Sequence, residues 1–156
     1  RGAGNLNLVS KSGMTIGNVP LTLQQIQEGT GINYTLSVAN TFETMGPSEF
    51  FSDKFSALFV RFTFLPIKNK STWSEPTFVI HNAAAFGEMQ NRGDHQMFDF
   101  KTPDNGFYES GFIADYLLKF GPLGFGAGVF YRYGPYEFAE TKDNFFYKVS
   151  VRLKFL

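Results

Sequence analysis

His81 is the first residue whose chemistry we considered, because a histidine near a serine or an aspartate is the usual general base of a hydrolase site. The chain has only two histidines, and His81 stands beside Asn82 within a strand-like stretch, with no nucleophile motif around it. The position of His81 is better explained by a histidine that faces a lumen or a core and bonds to a neighbouring group than by a catalytic base. We therefore predict that the chain is not an enzyme.

Two loop segments also carry candidate chemistry. Arg92-Gly93-Asp94-His95 has the form of an adhesion tripeptide, but glycine and charged residues are ordinary at a solvated loop tip. Asp99, Asp104 and Asn105 offer oxygen ligands for a cation, yet Pro103-Asp104-Asn105-Gly106 is a typical turn sequence. We interpret both as loops, and the sequence implies no metal and no cofactor.

A third group of charged residues alternates with apolar residues along the C-terminal half of the chain. Since successive side chains of a strand point to opposite faces, these residues are expected to share one polar face and to pair across strands. Such pairs can be purely structural or can line a pathway, and the sequence does not separate the two. The group comprises Glu109, Asp115, Lys119, Arg132, Lys148, Arg152 and Lys154.

The charged residues must lie on strands whose side chains alternate between two faces. The clearest is Asn144–Leu156, in which Tyr147, Val149 and Val151 alternate with lysine, serine and arginine. Six further strands are predicted, and Gly121–Leu123 is expected to form a tight hairpin turn between two of them. The six further strands span residues 5–16, 31–42, 55–65, 77–87, 108–120 and 124–133. For the strand at 77–87, the sequence does not decide which side faces the lipid.

The composition narrows the class of protein. The 156 residues carry 14 basic and 14 acidic side chains, so no net charge favours nucleic acid as a partner. Cysteine is absent, which leaves out disulfides and thiolate sites. No run of about 18 apolar residues is present, so the chain can cross lipid only as strands. The first residues, Arg1-Gly2-Ala3-Gly4, indicate a fragment.

The length and aromatic content of the strands favour a membrane barrel over a soluble one. Strands of ten or more residues suit a tilted crossing of the bilayer. The chain has 20 Phe and 7 Tyr, many of them near strand ends on the apolar face, where outer-membrane barrels carry aromatic girdles. The predicted lipid-interface aromatics are Tyr108, Phe120, Phe125, Tyr131, Tyr133, Tyr147 and Phe155, and the charged group listed above would face the lumen.

Several motifs resemble a family of Bacteroidota outer-membrane proteins. They are Pro20-Leu21, Gly29-Thr30-Gly31 with Tyr34, Phe42-Glu43-Thr44-Met45, and Glu49-Phe50-Phe51-Ser52-Asp53-Lys54-Phe55. Members of that uncharacterised family join a carboxypeptidase-regulatory-like sandwich to a C-terminal barrel, and are distantly similar to assembly-type barrels. The resemblance implies location and architecture, and it offers no catalytic residues. Arg1-Gly2 is similar to part of the loop motif of assembly-type barrels, with Ala3 in place of the aromatic residue.

These observations predict an all-β fold, namely the C-terminal strands of a larger antiparallel up-and-down transmembrane β-barrel, with residues 1–156 forming one partial domain. The expected location is the bacterial outer membrane, with lipid and other envelope proteins as partners. The expected function is non-enzymatic, in envelope biogenesis or in a surface complex. The alternatives are transport, through a pore or as part of a TonB-dependent importer, and a soluble ligand-binding barrel.

Overall fold

The computed structural model describes residues 2–17, 20, 24–67, 73–90 and 100–154. No helix among these residues is long and apolar enough to cross a membrane. The elements in chain order are β1 (Gly4–Met14), β2 (Gln25–Ile26), β3 (Thr35–Leu36), β4 (Phe51–Ser52), β5 (Lys54–Phe64), β6 (Thr77–Glu88), β7 (Phe107–Phe120), β8 (Leu123–Tyr133), a 3-10 helix (Thr141–Asn144) and β9 (Phe145–Leu153).

Seven strands form one sheet in the order β1-β5-β6-β7-β8-β9-β3, and β2 and β4 form a separate pair. Every neighbouring pair is antiparallel except β3 and β9, which are parallel. The prediction of an all-β, mainly antiparallel fold is confirmed. The described strands make an open sheet, with β1 at one edge and β3 at the other, and not a closed barrel.

Six of the seven predicted strands are present, and their bounds agree with the prediction to within a few residues. The predicted hairpin is also correct: β7 ends at Phe120, β8 begins at Leu123, and Gly121 takes a φ of 58° in the turn between them. Period-two patterns are reliable here because side chains alternate between the two faces of a strand, and most of these strands have one largely apolar face.

The predicted strand at 31–42 is wrong. Only Thr35–Leu36 is a strand, and Tyr34 and Asn40 on either side have φ near 60°, which breaks an extended chain. As a result β1 pairs directly with β5, and the chain from 15 to 53 connects the two strands at the end of the sheet where β1 ends.

Much of this connection lies against the sheet. We call residues 24–53 the inner segment, and the side of the sheet that it contacts the covered face. Phe42, Met45 and Phe50 of the inner segment are at most 1% exposed and pack with sheet residues such as Phe59 and Phe107. A smaller apolar cluster on the same face joins Val79, Ile113, Phe130 and Phe146.

The opposite side of the sheet, which we call the open face, has no described segment lying over it, although the Tyr34 ring stacks on Tyr147 beside β3. Its side chains are mostly large and apolar, and many are 40–60% exposed. In β6 they include Ile80 and Phe86, which settles the orientation of that strand. Further members are Leu6, Leu8, Leu58, Phe64, Phe112, Leu118, Phe120, Phe125, Tyr147, Val149, Val151 and Leu153.

One irregularity interrupts β7. The register against β8 shifts between Ala114 and Leu118, and Tyr116 within this bulge has a φ of 55°. The ring of Tyr116 lies over Gly124, where a Cβ would approach within 2.0 Å of it. The bulge therefore takes Tyr116 away from the apolar face on which its sequence position had placed it.

Candidate functional site

The candidate site is the network of charged side chains on the covered face. Of the seven charged residues named from the sequence, Glu109, Asp115, Arg132 and Lys148 are buried, with exposures of 5% or less. Lys119 and Arg152 are partly buried, and Lys154 is exposed. Buried charges are costly unless they are paired and hydrogen-bonded, so their partners decide what the network does.

Glu109 of β7 holds the inner segment to the sheet. Its two carboxylate oxygens accept hydrogen bonds from the backbone N–H groups of Glu43 and Thr44, each at 2.9 Å. The Thr44 hydroxyl donates to it at 2.7 Å, and His81 Nε2 lies 3.1 Å away. A carboxylate that accepts several hydrogen bonds is well stabilised even when it is buried. His81 is therefore a buried histidine whose Nε2 is paired with a neighbouring carboxylate, whereas its Nδ1 is buried without a hydrogen-bond partner among the described residues.

Glu43, which belongs to the inner segment, forms a second buried cluster with Lys148 of β9. The Glu43 carboxylate accepts hydrogen bonds from Ser37 Oγ at 2.6 Å and from the Val38 N–H at 2.9 Å, and Lys148 Nζ lies 3.8 Å away. Burial raises the pKa of Glu43, although the Ser37 hydrogen bond and the charge of Lys148 oppose that effect.

Lys148 also holds the chain around β3. Its ammonium group donates to the Thr30 carbonyl, to the Ile32 carbonyl at 3.0 Å and to the Thr35 hydroxyl at 2.9 Å. Three donors thus meet three acceptors, which is the full capacity of a lysine ammonium group. The parallel pairing of β3 with β9 is anchored by this buried lysine.

Arg132 of β8 and Glu49 of the inner segment form a bidentate ion pair, with hydrogen bonds of 3.0 and 2.9 Å. The guanidinium group is surrounded by the rings of Phe50, Phe107 and Phe138, at 5.8, 4.8 and 4.5 Å from their centroids. Burial by itself raises the pKa of Glu49, but hydrogen bonds from Arg132 and from the Gly46 N–H outweigh it and hold the pKa below its ordinary value.

A third cluster lies farther along the covered face, toward the end of the sheet that carries the tight hairpin. Asp115 of β7 accepts hydrogen bonds from the Ser150 hydroxyl and, at 3.1 Å, from Arg152 Nε. Arg61 of β5 is on the same face, and its Nη2 is buried with no hydrogen-bond partner among the described residues. At the same end of the sheet, Lys119 and Lys154 both bond to the partly buried Glu75, whose pKa their hydrogen bonds lower.

The expected pairing across strands is found only for Asp115 with Arg152. Arg132, Lys148, Lys119 and Lys154 instead meet acidic residues of the connecting segments, namely Glu49, Glu43 and Glu75. None of these three glutamates was among the site residues predicted from the sequence. Glu43 and Glu49 stand within the quoted family motifs, and that was the one signal that could have pointed to them.

The predicted interface aromatics lie on the open face wherever the structure describes them. Tyr108, Tyr131 and Tyr133 gather at one end of the strands, with Tyr108 and Tyr133 stacked at 6.0 Å and Tyr131 and Tyr133 at 6.4 Å. Phe120 and Phe125 meet at the other end, at 6.1 Å. Tyr147 stacks on Tyr34 of the inner segment at 6.4 Å, and Phe155 lies outside the described residues.

The loop segments that offered an adhesion motif or a cation site show no such site among the described residues. Pro103 to Gly106 is a turn, closed by a 3.2 Å bond from the Gly106 N–H to the Pro103 carbonyl, and Asp104 bonds to the Tyr136 hydroxyl. Arg92 to His95, Asp99 and Arg1 lie outside the described residues. In the described part of the chain no group of three or more His, Cys, Asp or Glu side chains is placed to hold a metal ion.

Comparison with protein-family models, with curated proteins and with solved structures finds no match to this chain. The resemblance to the Bacteroidota outer-membrane family stays a prediction.

Proposed function

We propose that this chain is the C-terminal run of strands of a larger β-barrel in the bacterial outer membrane, and that the barrel is non-enzymatic. We further propose that it acts in envelope biogenesis or as a component of a surface complex. One observation carries the proposal: the apolar face of the sheet is the exposed one, and the charged face is the buried one.

This distribution is the reverse of that in a soluble sheet, which buries its apolar face and leaves charged residues in water. Soluble monomers rarely expose continuous apolar patches of more than a few hundred Å². The open face instead runs over six neighbouring strands, and a surrounding phase of lipid would cover it. The same reversal disfavours the soluble ligand-binding barrel.

The strand lengths and the aromatic residues support the same proposal. The long strands have nine to fourteen residues, and a tilted strand needs about 9 to 11 to cross the hydrocarbon layer. Tyrosines at one strand end and phenylalanines at the other bracket the apolar residues, as do the two girdles of outer-membrane barrels.

The inner segment supports a plugged barrel over an open pore. Three buried acidic or basic anchors, Glu109, Arg132 and Lys148, hold it against the covered face. A diffusion pore needs a water-filled lumen, whereas here large side chains such as Phe42, Met45 and Phe50 fill the space beside the sheet. Assembly or complex formation therefore ranks above a simple pore.

Lipid contact can be tested by fluorescence quenching in the full-length protein. Replacing Trp73 by Phe removes the one tryptophan of this chain, and Val149→Trp then reports from the middle of β9 on the open face. Other tryptophans of the full-length protein would be replaced in the same way. Lipids with brominated acyl chains should quench this residue strongly, while Ala139→Trp, in the loop before β9, serves as the matched control.

Equal quenching of the two positions, or a full-length protein that stays monomeric in water without detergent, would contradict the membrane proposal.

The cellular role is tested by depleting the protein from the cell. We expect changed levels of outer-membrane proteins, lipopolysaccharide or surface lipoproteins, and an unchanged envelope after complete depletion would exclude a role in biogenesis.

A further inference from the structure

Three polar side chains meet on the open face, whose other side chains are mainly apolar. Asn82 lies at the middle of β6 and is exposed, Ser110 stands opposite it in β7, and Tyr133 ends β8. The Ser110 hydroxyl donates to Asn82 Oδ1 at 2.7 Å, and the Tyr133 hydroxyl lies 3.2 Å from Ser110 Oγ. We call these three residues the polar trio. Outer-membrane strands direct apolar side chains to lipid, so we expect such a cluster to have a specific partner.

The amide nitrogen of Asn82 is the unused donor of the polar trio. Ser110 has one hydroxyl hydrogen, which it donates to Asn82, so Tyr133 donates its own hydrogen to Ser110. The series of hydrogen bonds therefore ends at Asn82, whose Nδ2 carries two hydrogens that no described residue accepts. An amide donor without a partner is costly in hydrocarbon, so an acceptor is expected within reach of Asn82.

A shallow groove with a volume of about 150 Å³ lies beside the polar trio. Along one row of paired residues, the small Ala84 stands between Leu58 and Tyr108, whose larger side chains line the groove on either side of it. Asn82 and Tyr133 line the same groove. Its volume is about five times the ~30 Å³ that a water molecule occupies in the liquid, which suits a short stretch of one acyl chain.

We propose that this groove binds one acyl chain of a membrane lipid, and that Asn82 Nδ2 donates a hydrogen bond to the carbonyl group of that chain. The inference rests on the proposed outer-membrane location. The lining residues carry no charge, so they match an uncharged carbonyl and not the phosphate or amine of a headgroup. Tyr108 and Tyr133 belong to the tyrosine cluster at one strand end, and such aromatic residues mark the membrane interface, where lipid carbonyls lie.

A single lipid chain fits this groove better than a protein segment does. A stable protein interface involves about 20–30 residues on each side, whereas seven residues line the groove. The unused donor is also a single amide group, and one lipid carbonyl can accept a hydrogen bond from it.

Vesicles of two matched phosphatidylcholines test the role of the carbonyl. One lipid has ester-linked chains, and the other has ether-linked chains of the same length, which lack the carbonyl groups. Urea unfolding of the full-length protein gives a folding equilibrium constant in each lipid, and the ester-to-ether ratio is compared between proteins. The ratio should be about 2- to 12-fold higher in the native protein than in Asn82→Leu, which is the effect of one hydrogen bond. Ser56→Ala, which removes another hydroxyl from the open face outside the groove, should keep the native ratio.

Two further measurements identify the occupant of the groove. Ala84→Phe fills the groove and should lower the ester-to-ether ratio to that of Asn82→Leu. A photoreactive benzoylphenylalanine in place of Ile80, which lies two residues from Asn82 on the same face, should cross-link to lipid in cells. A cross-link to a polypeptide instead would overturn the lipid site in favour of a protein partner.

Equal ester-to-ether ratios in the native and Asn82→Leu proteins would also overturn the lipid site. If Val149→Trp is still quenched by brominated lipid in that case, only the site is wrong. Loss of that quenching would contradict the outer-membrane location as well.

Discussion

The guanidinium group of Arg132 and the carboxylate of Glu49 meet in two nearly equal hydrogen bonds, 3.0 and 2.9 Å long, although 83 residues separate them in the chain. Arg132 is fully buried and Glu49 is 15% exposed. This pair joins the inner segment to the middle of the sheet, and the rings around it exclude water. Most of our predictions concern the attachment of the inner segment to the covered face.

Arg132→Gln should destabilise the protein by about 3–5 kcal/mol, because removing one partner of a buried pair leaves the other charge without compensation. Urea unfolding of the full-length protein in detergent would measure the change. Lys142→Gln breaks an exposed pair and should cost no more than about 1 kcal/mol. Equal effects of the two substitutions would show that the Arg132 pair does not stabilise the fold.

Glu49 should make stability depend on pH in the acidic range. Its folded pKa lies below the ordinary value of 4.5, so as the pH falls the unfolded chain takes up a proton before the folded protein does. Its contribution is present above pH 4.5 and is lost as the pH falls through the folded pKa. Unfolding free energies at pH 6 and pH 3 should differ less in Glu49→Gln than in the native protein.

Glu43 should make stability depend on pH in the opposite direction. Burial raises its folded pKa above 4.5, so its favourable contribution is present below that pH and declines as the pH rises through the folded pKa. Glu43→Gln, which resembles the protonated form, should therefore gain stability relative to the native protein as the pH rises. The same series of unfolding measurements, extended to pH 8, gives the comparison, and a constant difference would contradict the assignment.

Glu109→Gln should loosen residues 42–46 without unfolding the sheet. The amide replaces one acceptor oxygen with a donor that faces the N–H group of either Glu43 or Thr44, which costs about 1.5–3 kcal/mol. Hydrogen exchange at the Thr44 amide should become about 10- to 150-fold faster by local opening. Glu140→Gln, in an exposed loop, is the control, and unchanged exchange at Thr44 would refute the anchoring role.

Gly31→Ala should also displace the inner segment. A Cβ at residue 31 would lie 2.6 Å from backbone atoms of Thr44 and Met45, and the Gly31 N–H bonds to the Met45 carbonyl in this close approach. Forcing these backbones apart should cost about 1–3 kcal/mol in urea unfolding. Gly2→Ala, which has nothing within 4 Å of the new methyl group, should leave the unfolding midpoint unchanged.

Ala127→Arg tests whether the open face of the sheet contacts lipid or water. Ala127 is exposed in the middle of β8, between Ala114 and Val149. An arginine there should cost about 2–4 kcal/mol in a bilayer, whereas an exposed position in water would tolerate it. Folding into lipid vesicles measures this cost, with Ala139→Arg as the loop control, and no difference between the two would argue against lipid on the open face.

The sequence by itself determined the six long strands and, apart from Tyr116 in the β7 bulge, which side chains share a face. That information is local, because alternation of side chains needs only the geometry of one extended chain. It could not reveal that 31–42 is mostly not strand, since Tyr34 and Asn40 take their positive φ in a segment held by the distant Lys148 and Glu109.

Only the tertiary structure decided which acid meets which base. Arg132 pairs with Glu49 although 83 residues of chain separate them, so no spacing within a strand encodes this contact. Charge pairing across such separations follows from the path of the inner segment over the covered face. The alternating pattern therefore determined a polar face and an apolar face, and the folding of one connection onto the sheet decided that the polar face is the buried one.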